Sequence, residues 1–155
     1  MKLYRLAPAK YATDLTGEGA RLFGGRWTPP GIAVIHAAQT VALATLEYLV
    51  HQKSLAQGPL HVSLVVYELP DNLAVERFDI DALPAGWNQY PSPSSLWDLG
   101  KRWAQEKRSV ALLVPSAVVP VSLEHNVLLN PSHPDFVYLK QLEILPYRFD
   151  ERLIS

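Results

Sequence analysis

The 155-residue chain contains no cysteine, so it can form neither disulfide bonds nor thiolate metal sites. This composition suits a reducing compartment, and the cytoplasm is the expected location. The first residues lack the apolar core of a signal peptide, and no apolar run reaches the ~18 residues that span a bilayer. We therefore expect a soluble protein without a membrane partner.

The chain also has no large excess of charge of either sign. The 14 basic and 15 acidic side chains give a net charge of −1, and no basic stripe marks a surface for nucleic acid. Direct binding to nucleic acid is therefore not expected.

Familiar nucleotide and metal motifs are missing as well. Gly17 and Gly19 lack the third glycine of a dinucleotide-binding fingerprint, and no phosphate-loop lysine motif occurs. His125 and His133 lie in a proline-bearing segment without clustered carboxylates, so no metal site is expected. If the chain binds a phosphate, arginine must do most of the work.

Apolar residues make up 48% of the chain and charged residues 19%, which is typical of a globular protein. The length fits one domain over residues 1–155. Hydrophobic periodicity alternates between strand and helix, so we expect a single mixed α+β domain. The patterns predict strands over 2–6, 32–35, 61–69, 110–114 and 138–145, helices over 39–52 and 95–108, irregular segments over 7–30 and 70–93, a polar loop over 125–134, and extra pairing over 118–122.

One candidate site residue is Arg26, which follows Gly24-Gly25 and precedes Trp27. Paired glycines let the backbone approach a ligand, and a guanidinium can fork onto a phosphate or carboxylate. The alternative is a surface arginine beside a packing tryptophan. Arg5, in the first predicted strand, is a second candidate cation.

Glu47 is the strongest candidate because of its place on the predicted helix. Leu43, Leu46 and Val50 form the expected buried stripe, and Glu47 falls about forty degrees to its side at ~100° per residue. The carboxylate should therefore be half sheltered, where it needs a compensating partner. It either reaches solvent or a lysine, or it lies near a sugar and stabilises an oxocarbenium-like transition state.

Two further candidates follow predicted strands. His36 ends the strand over 32–35, and a lone histidine there is more often a hydrogen-bonded rim residue than a catalyst. Ser116 follows the strand over 110–114, where its hydroxyl could reach a ligand. The surrounding Val-Pro-Ser-Ala is not a nucleophile elbow, so we expect no hydrolase triad.

Taken in order, these residues resemble the RES-domain family, the toxin half of Xre-RES toxin–antitoxin pairs. Each segment alone is weak evidence for the family, but the order and spacing of the segments together are specific. The match covers nearly the whole chain. The matching segments are Tyr4-Arg5-Leu6, Gly24-Gly25-Arg26-Trp27, the helix from Ala42 to His51, Val114-Pro115-Ser116-Ala117, and the stretch from Asn126 to Pro134.

The resemblance implies an ADP-ribosyltransferase-like fold, with a split, mixed and largely antiparallel sheet flanked by helices. It implies that NAD⁺ is bound as a substrate, with no prosthetic cofactor, and is cleaved between nicotinamide and ribose by water or phosphate. Some relatives instead ADP-ribosylate a protein. The expected partner is an Xre-family helix-turn-helix antitoxin that makes any DNA contact. Homo-oligomer formation within that complex stays open.

Carried over by motif, Arg26 is the family arginine on the phosphates or ribose, Glu47 the catalytic glutamate, and Ser116 the serine of the NAD⁺ site. Arg5 would be a second cationic contact. His36 stands where the family usually has tyrosine, and could stack on nicotinamide or donate a hydrogen bond. This exchange leaves a different class open, in which the site has decayed and the domain mainly binds its antitoxin. A second departure is Thr28, which replaces a common asparagine.

Overall fold

The structure is a computed structural model that describes residues 1–52 and 61–154. These residues form seven strands and three α-helices, joined by loops and short 3₁₀ turns. In chain order the elements are β1 (Lys2–Pro8), α1 (Glu18–Phe23), β2 (Ile35–Ala38), α2 (Val41–His51), β3 (Val62–Glu68), β4 (Val75–Arg77), α3 (Ser95–Glu106), β5 (Ala111–Pro115), β6 (His125–Leu129) and β7 (Lys140–Tyr147).

The strands form one mixed sheet in the order β4-β5-β6-β2-β1-β3-β7. Only β4 and β5 run parallel, and every other pair is antiparallel. The sheet is weakly joined in its middle, since β1 pairs with β2 through Tyr4 and Ala38 alone, whereas β1 pairs with β3 along its whole length. The expected α+β class with a split mixed sheet is confirmed.

Apolar side chains cover both faces of the central strands. One cluster includes Leu3, Tyr67 and Leu129, and another joins Trp27 to Leu96 and Trp103 of α3. The long strand β3 is buried over nearly its whole length because β1 and β7 flank it and apolar clusters cover it. This core supports the two halves of the sheet on either side of the β1–β2 junction.

Helix α2 begins and ends close to the predicted bounds. Its N-cap is Thr40, whose hydroxyl accepts a hydrogen bond from the Leu43 amide, and Leu43 is buried. The predicted stripe was wrong for Leu46 and Val50, which are 39% and 56% exposed. Packing instead uses the small Ala44 beside Leu43, so the buried arc is rotated away from the two larger side chains.

Several other boundaries were also wrong. The irregular segment over 7–30 contains α1, and the one over 70–93 contains β4. Strand β2 begins at Ile35, three residues later than expected, and residues 118–122 form turns rather than a strand. Helix α3 is present, but its N-cap is Ser94 and makes no side-chain capping hydrogen bond. The sequence Ser95-Leu-Trp-Asp98 resembles a capping box, but the helix already begins at Ser95, so this box does not form.

The most consequential error concerns residues 125–134. They were expected to form a polar loop, yet His125–Leu129 is β6, which lies between β5 and β2 in the sheet. The polar His125-Asn126 start hides a strand because only Val127, Leu128 and Leu129 are apolar. Within the described residues, no helix is both long and apolar enough to cross a membrane.

Candidate active site

A cleft of about 940 Å³ opens beside the weak β1–β2 junction. Its volume lies within the ~300–1,000 Å³ typical of ligand pockets. Arg5, Arg26, His36 and Glu47, four of the five candidates, line it together. Strand β1 supplies Arg5, β2 supplies His36, α2 supplies Glu47, and the loop after α1 supplies Arg26. Ser116 lies directly behind Glu47.

The Glu47 carboxylate is held through one of its two oxygens. Oε1 accepts a hydrogen bond from the Ser116 hydroxyl at 2.7 Å and another from Asn126 Nδ2 at 2.6 Å. Oε2 lies 3.8 Å from His51 Nε2, which is too long for a hydrogen bond. The side chain is 21% exposed, so it is half sheltered as expected. Oε1 is thus fixed by two donors, whereas Oε2 accepts no hydrogen bond from the described residues, and the residue lines the cleft.

The Ser116 hydroxyl has a determined orientation. Its oxygen accepts hydrogen bonds from the Val118 and Val119 amides, both at 3.0 Å, which leaves its single proton for Glu47. The residue is fully buried, and its neighbours Pro115 and Ala117 line the cleft in its place. Ser116 therefore does not line the cleft itself and can affect a ligand there only by holding Glu47.

Arg26 fastens the glycine turn to a distant loop. Its Nη1 donates to the carbonyl oxygens of Trp87 and Gln89, each at 2.8 Å, and Trp97 Nε1 donates to the Gly25 carbonyl at 2.8 Å. Burial lowers the pKa of Arg26 from its usual value, whereas the Glu47 carboxylate opposes that change. The guanidinium stays a cation and keeps donors for an anionic ligand.

Helix α3 packs directly on this turn. A Cβ added to Gly100 would overlap the carbonyl oxygen of Trp27, so glycine is needed for the close approach. Trp27 is 4% exposed and belongs to the core, like Trp87 and Trp103. Thr28 is fully buried, and its hydroxyl has no partner among the described residues.

His36 lies against the backbone of the glycine turn. A Cβ on Gly25 would come within 3.3 Å of its Cε1, and the side chain is accessible only through the cleft, whose walls surround it. Burial by the cleft walls, then the charge of Arg5 and of His51, lowers the pKa of His36 to about 4. The ring is therefore neutral at pH 7 and can donate from one nitrogen and accept at the other.

Arg5 is oriented by the loop that follows β1. Its Nη1 donates to the Asp14 carbonyl oxygen at 3.2 Å. Hydrogen bonds from Thr16, reinforced by Arg5, lower the pKa of Asp14 against the smaller effect of burial. Arg5 and Arg26 thus place two cations along the same cleft.

Two cleft residues were not chosen as site residues from the sequence. Asn126 was assigned to a loop, although its position on β6 brings it to Glu47. Recognising the apolar Val127–Leu129 as a strand would have brought it near Ser116, at the end of β5. His51 could have been found one helical turn after Glu47. No cluster of potential metal ligands occurs in residues 1–52 and 61–154.

The protein is therefore of the α+β class, with a mixed sheet beside a cleft. Two arginines and a glutamate held by hydrogen bonds line this cleft. The RES domain family model matches residues 2–150. The chain belongs to the RES-domain family, which confirms the resemblance read from its motifs.

Named relatives support this assignment. The chain is 41% identical over 145 residues to a Prs ADP-ribosylating toxin of Sphingobium sp. (strain YBL2), covering 92% of this chain and 88% of the relative. It is 39% identical to Toxin Res of Photorhabdus laumondii over 100% of this chain and 98% of the relative. Toxin Res of Yersinia enterocolitica is 38% identical, with 99% of each chain covered.

A solved structure shows the same fold. A chain in the crystal structure of the M. tuberculosis MbcT-MbcA toxin-antitoxin complex superposes with a TM-score of 0.71. The match covers 94% of this chain and 83% of that chain at 22% identity. The mixed seven-stranded architecture is therefore shared with a protein of a toxin–antitoxin complex.

Proposed function

We propose that the chain is the toxin of a toxin–antitoxin pair and that it cleaves the bond between nicotinamide and ribose in NAD⁺. The observation that carries the proposal is the Glu47 carboxylate, fixed at Oε1 and open at Oε2 in a cleft with two arginines. A dinucleotide offers the pyrophosphate that the arginines can bind and the ribose that the carboxylate can approach.

The chemistry needed is the departure of nicotinamide from C1 of the ribose. The bonding electrons leave with nicotinamide, whose ring loses its positive charge, and the ribose becomes oxocarbenium-like. The open oxygen of Glu47 would oppose this developing positive charge, in a site where little reorganisation is required. Water or phosphate would then attack C1, giving hydrolysis or phosphorolysis.

The two arginines would bind and orient rather than react. Arg26 is held by two loop carbonyls through Nη1 alone, so its other donors are available for a phosphate oxygen. Arg5, beside His36, would provide the second contact. His36 would meet the nicotinamide end, with its neutral ring stacked on the flat heterocycle or hydrogen-bonded to it.

A second function uses the same first step. The relative named a Prs ADP-ribosylating toxin favours transfer of ADP-ribose from NAD⁺ to a protein. In that case an acceptor side chain replaces water or phosphate at C1. Incubation of labelled NAD⁺ with the pure chain and cell lysate separates the two, because transfer yields a discrete labelled protein and hydrolysis yields free ADP-ribose.

We also propose that an antitoxin neutralises this activity, and that it is an Xre-type helix-turn-helix protein encoded nearby. The proposal is supported by the Toxin Res names of the relatives and by a fold shared with a toxin–antitoxin complex. Co-expression with the neighbouring reading frame should restore growth.

The cellular test compares growth and NAD⁺ content after induction of the chain and of its Glu47→Gln variant. The proposal predicts growth arrest with a fall in NAD⁺ for the native chain and neither effect for the variant. Equal toxicity of both proteins at equal abundance would favour a non-catalytic, antitoxin-binding domain. Growth arrest with unchanged NAD⁺ and a labelled protein would favour transfer.

A further inference from the structure

Asn126 donates a hydrogen bond to the Glu47 carboxylate and itself lines the cleft. It lies on β6, where its backbone position is paired with Val114 of β5 and Ala38 of β2. A strand paired on both sides fixes the origin of a side chain more firmly than a loop does. The backbone origin of the Asn126 side chain is therefore fixed by both neighbouring strands.

The orientation of the amide follows from chemistry. An ionised carboxylate only accepts hydrogen bonds, so the nitrogen of Asn126 must face Oε1 of Glu47, as the 2.6 Å contact has it. Hydrogen bonds to a charged acceptor are shorter and stronger than neutral ones. The other nitrogen-bound hydrogen and the amide oxygen remain for the cleft that the residue lines.

Two donors on one oxygen restrict the motion that matters most. The terminal torsion of a glutamate is broad, so a carboxylate with one partner can still rotate its second oxygen away from a substrate. Ser116 reaches Oε1 from the end of β5, and Asn126 reaches it from β6. Held from two elements, the carboxylate of Glu47 keeps one orientation beside the cleft that the residue lines.

We propose that Asn126 is a positioning residue, which aims the free oxygen of Glu47 at the reacting carbon of the substrate. This inference rests on the proposed cleavage of NAD⁺ and adds a residue to it. Removal of the amide should lower the rate of the chemical step and leave substrate binding nearly unchanged, because a misplaced group loses transition-state contact.

The kinetic test follows nicotinamide release by purified Asn126→Ala and Asn126→Asp proteins. We expect kcat to fall by about 100-fold in both, with KM for NAD⁺ within about twofold of the native value. The matched control is Asn130→Ala. Asn130 lies directly after β6 and is more deeply buried than the half-buried Asn126, and its amide donates to the Ala104 carbonyl instead of Glu47. This variant should lose stability and keep kcat.

A pH profile adds a signature that a structural role would not produce. In Asn126→Asp two carboxyl groups face each other at neutral pH, and at lower pH they share one proton that restores a donor toward Glu47. The deficit relative to the native chain should therefore shrink as the pH falls from about 8 to about 5. In Asn126→Ala the deficit should not shrink.

A second measurement does not depend on NAD⁺. Asn126→Asp should lower the midpoint temperature of thermal unfolding in the native background. Adding Glu47→Gln should restore that temperature, since the new amide at position 47 can donate to the new carboxylate at position 126. Asn126→Asp should thus cost several degrees alone and little in the double variant. The double variant should remain inactive.

Each outcome decides a separate point. A native kcat in Asn126→Ala, a raised KM with unchanged kcat, or no recovery of stability in the double variant would overturn the positioning role. If stability recovers as expected but the native chain releases no nicotinamide, the contact stands while the proposed function and the positioning role in it both fail. Recovery together with the kcat loss supports both.

Discussion

The Ser116 hydroxyl donates to the Glu47 carboxylate at 2.7 Å across 69 positions of sequence. Because two backbone amides occupy the lone pairs of the serine oxygen, its proton can point only to the glutamate. Two residues that are distant in the sequence are thus linked directly, with the buried serine behind the glutamate and the glutamate lining the cleft.

Ser116→Ala should lower kcat for nicotinamide release by about 10-fold to 100-fold with little change in KM. The loss follows because Glu47 keeps only the donor from Asn126. The measurement is steady-state kinetics on purified protein. The control is Ser109→Ala, which removes another buried hydroxyl, one bonded to Trp103 Nε1 and the Ala111 carbonyl, and should affect stability alone. Equal kinetic losses in both variants would refute the specific link.

Arg26→Ala should raise KM for NAD⁺ by about 10-fold or more, because it removes a phosphate contact and frees the loop around Trp87. Hydrogen exchange should also quicken in residues 87–89. The control is Arg21→Ala, which removes an exposed arginine paired with Glu18 and should leave KM unchanged. Unchanged KM in Arg26→Ala would contradict a binding role.

Gly100→Ala should destabilise the chain by about 3 kcal/mol, because the added Cβ overlaps the Trp27 carbonyl and pushes α3 away from the glycine turn. Denaturant unfolding measures the change. Gly19→Ala is the control, since a Cβ there meets nothing within 4 Å. Equal stability of Gly100→Ala and Gly19→Ala would show that α3 does not pack closely on the glycine turn.

His36 should make stability depend on pH. Its pKa is about 6.5 in the unfolded chain and about 4 in the folded one, so the unfolded state binds more protons between these values. Stability contributed by the neutral ring is present above about pH 6.5 and is lost as the pH falls through about 4.

His36→Tyr should flatten this acid-side slope and, by supplying the usual family residue, retain nicotinamide release. Thermal unfolding at several pH values measures the slope. His61→Tyr replaces an exposed histidine outside the cleft and should leave the slope as it is in the native chain. An unaltered slope in His36→Tyr would show that its neutral ring is not the source.

The sequence predicted Glu47 well because helical periodicity sets the angle between residues four apart, which is enough to place a carboxylate beside a buried Leu43. It predicted the neighbours of Glu47 poorly. Leu46 and Val50 are hydrophobic yet exposed, because the packing surface, and not hydrophobicity alone, decides which arc of α2 is buried.

Asn126 could not be placed from its local pattern. A polar pair followed by three apolar residues and a proline-rich stretch reads as a loop, while pairing with two distant strands makes it β6. Asn126 and Ser116 both contact Glu47 only because the tertiary fold brings β6, the end of β5 and α2 together. Local periodicity contains no information on that contact, although the family resemblance placed the segments in one domain.

The most direct test of the central claim is nicotinamide release from NAD⁺ by the pure chain, freed of antitoxin, with and without phosphate. The account predicts release by the native chain, loss of at least about 100-fold in Glu47→Gln, and full activity in Glu18→Gln, whose exposed carboxylate lies at the same cleft. No release by the native chain in either condition, or equal release by Glu47→Gln, would contradict it.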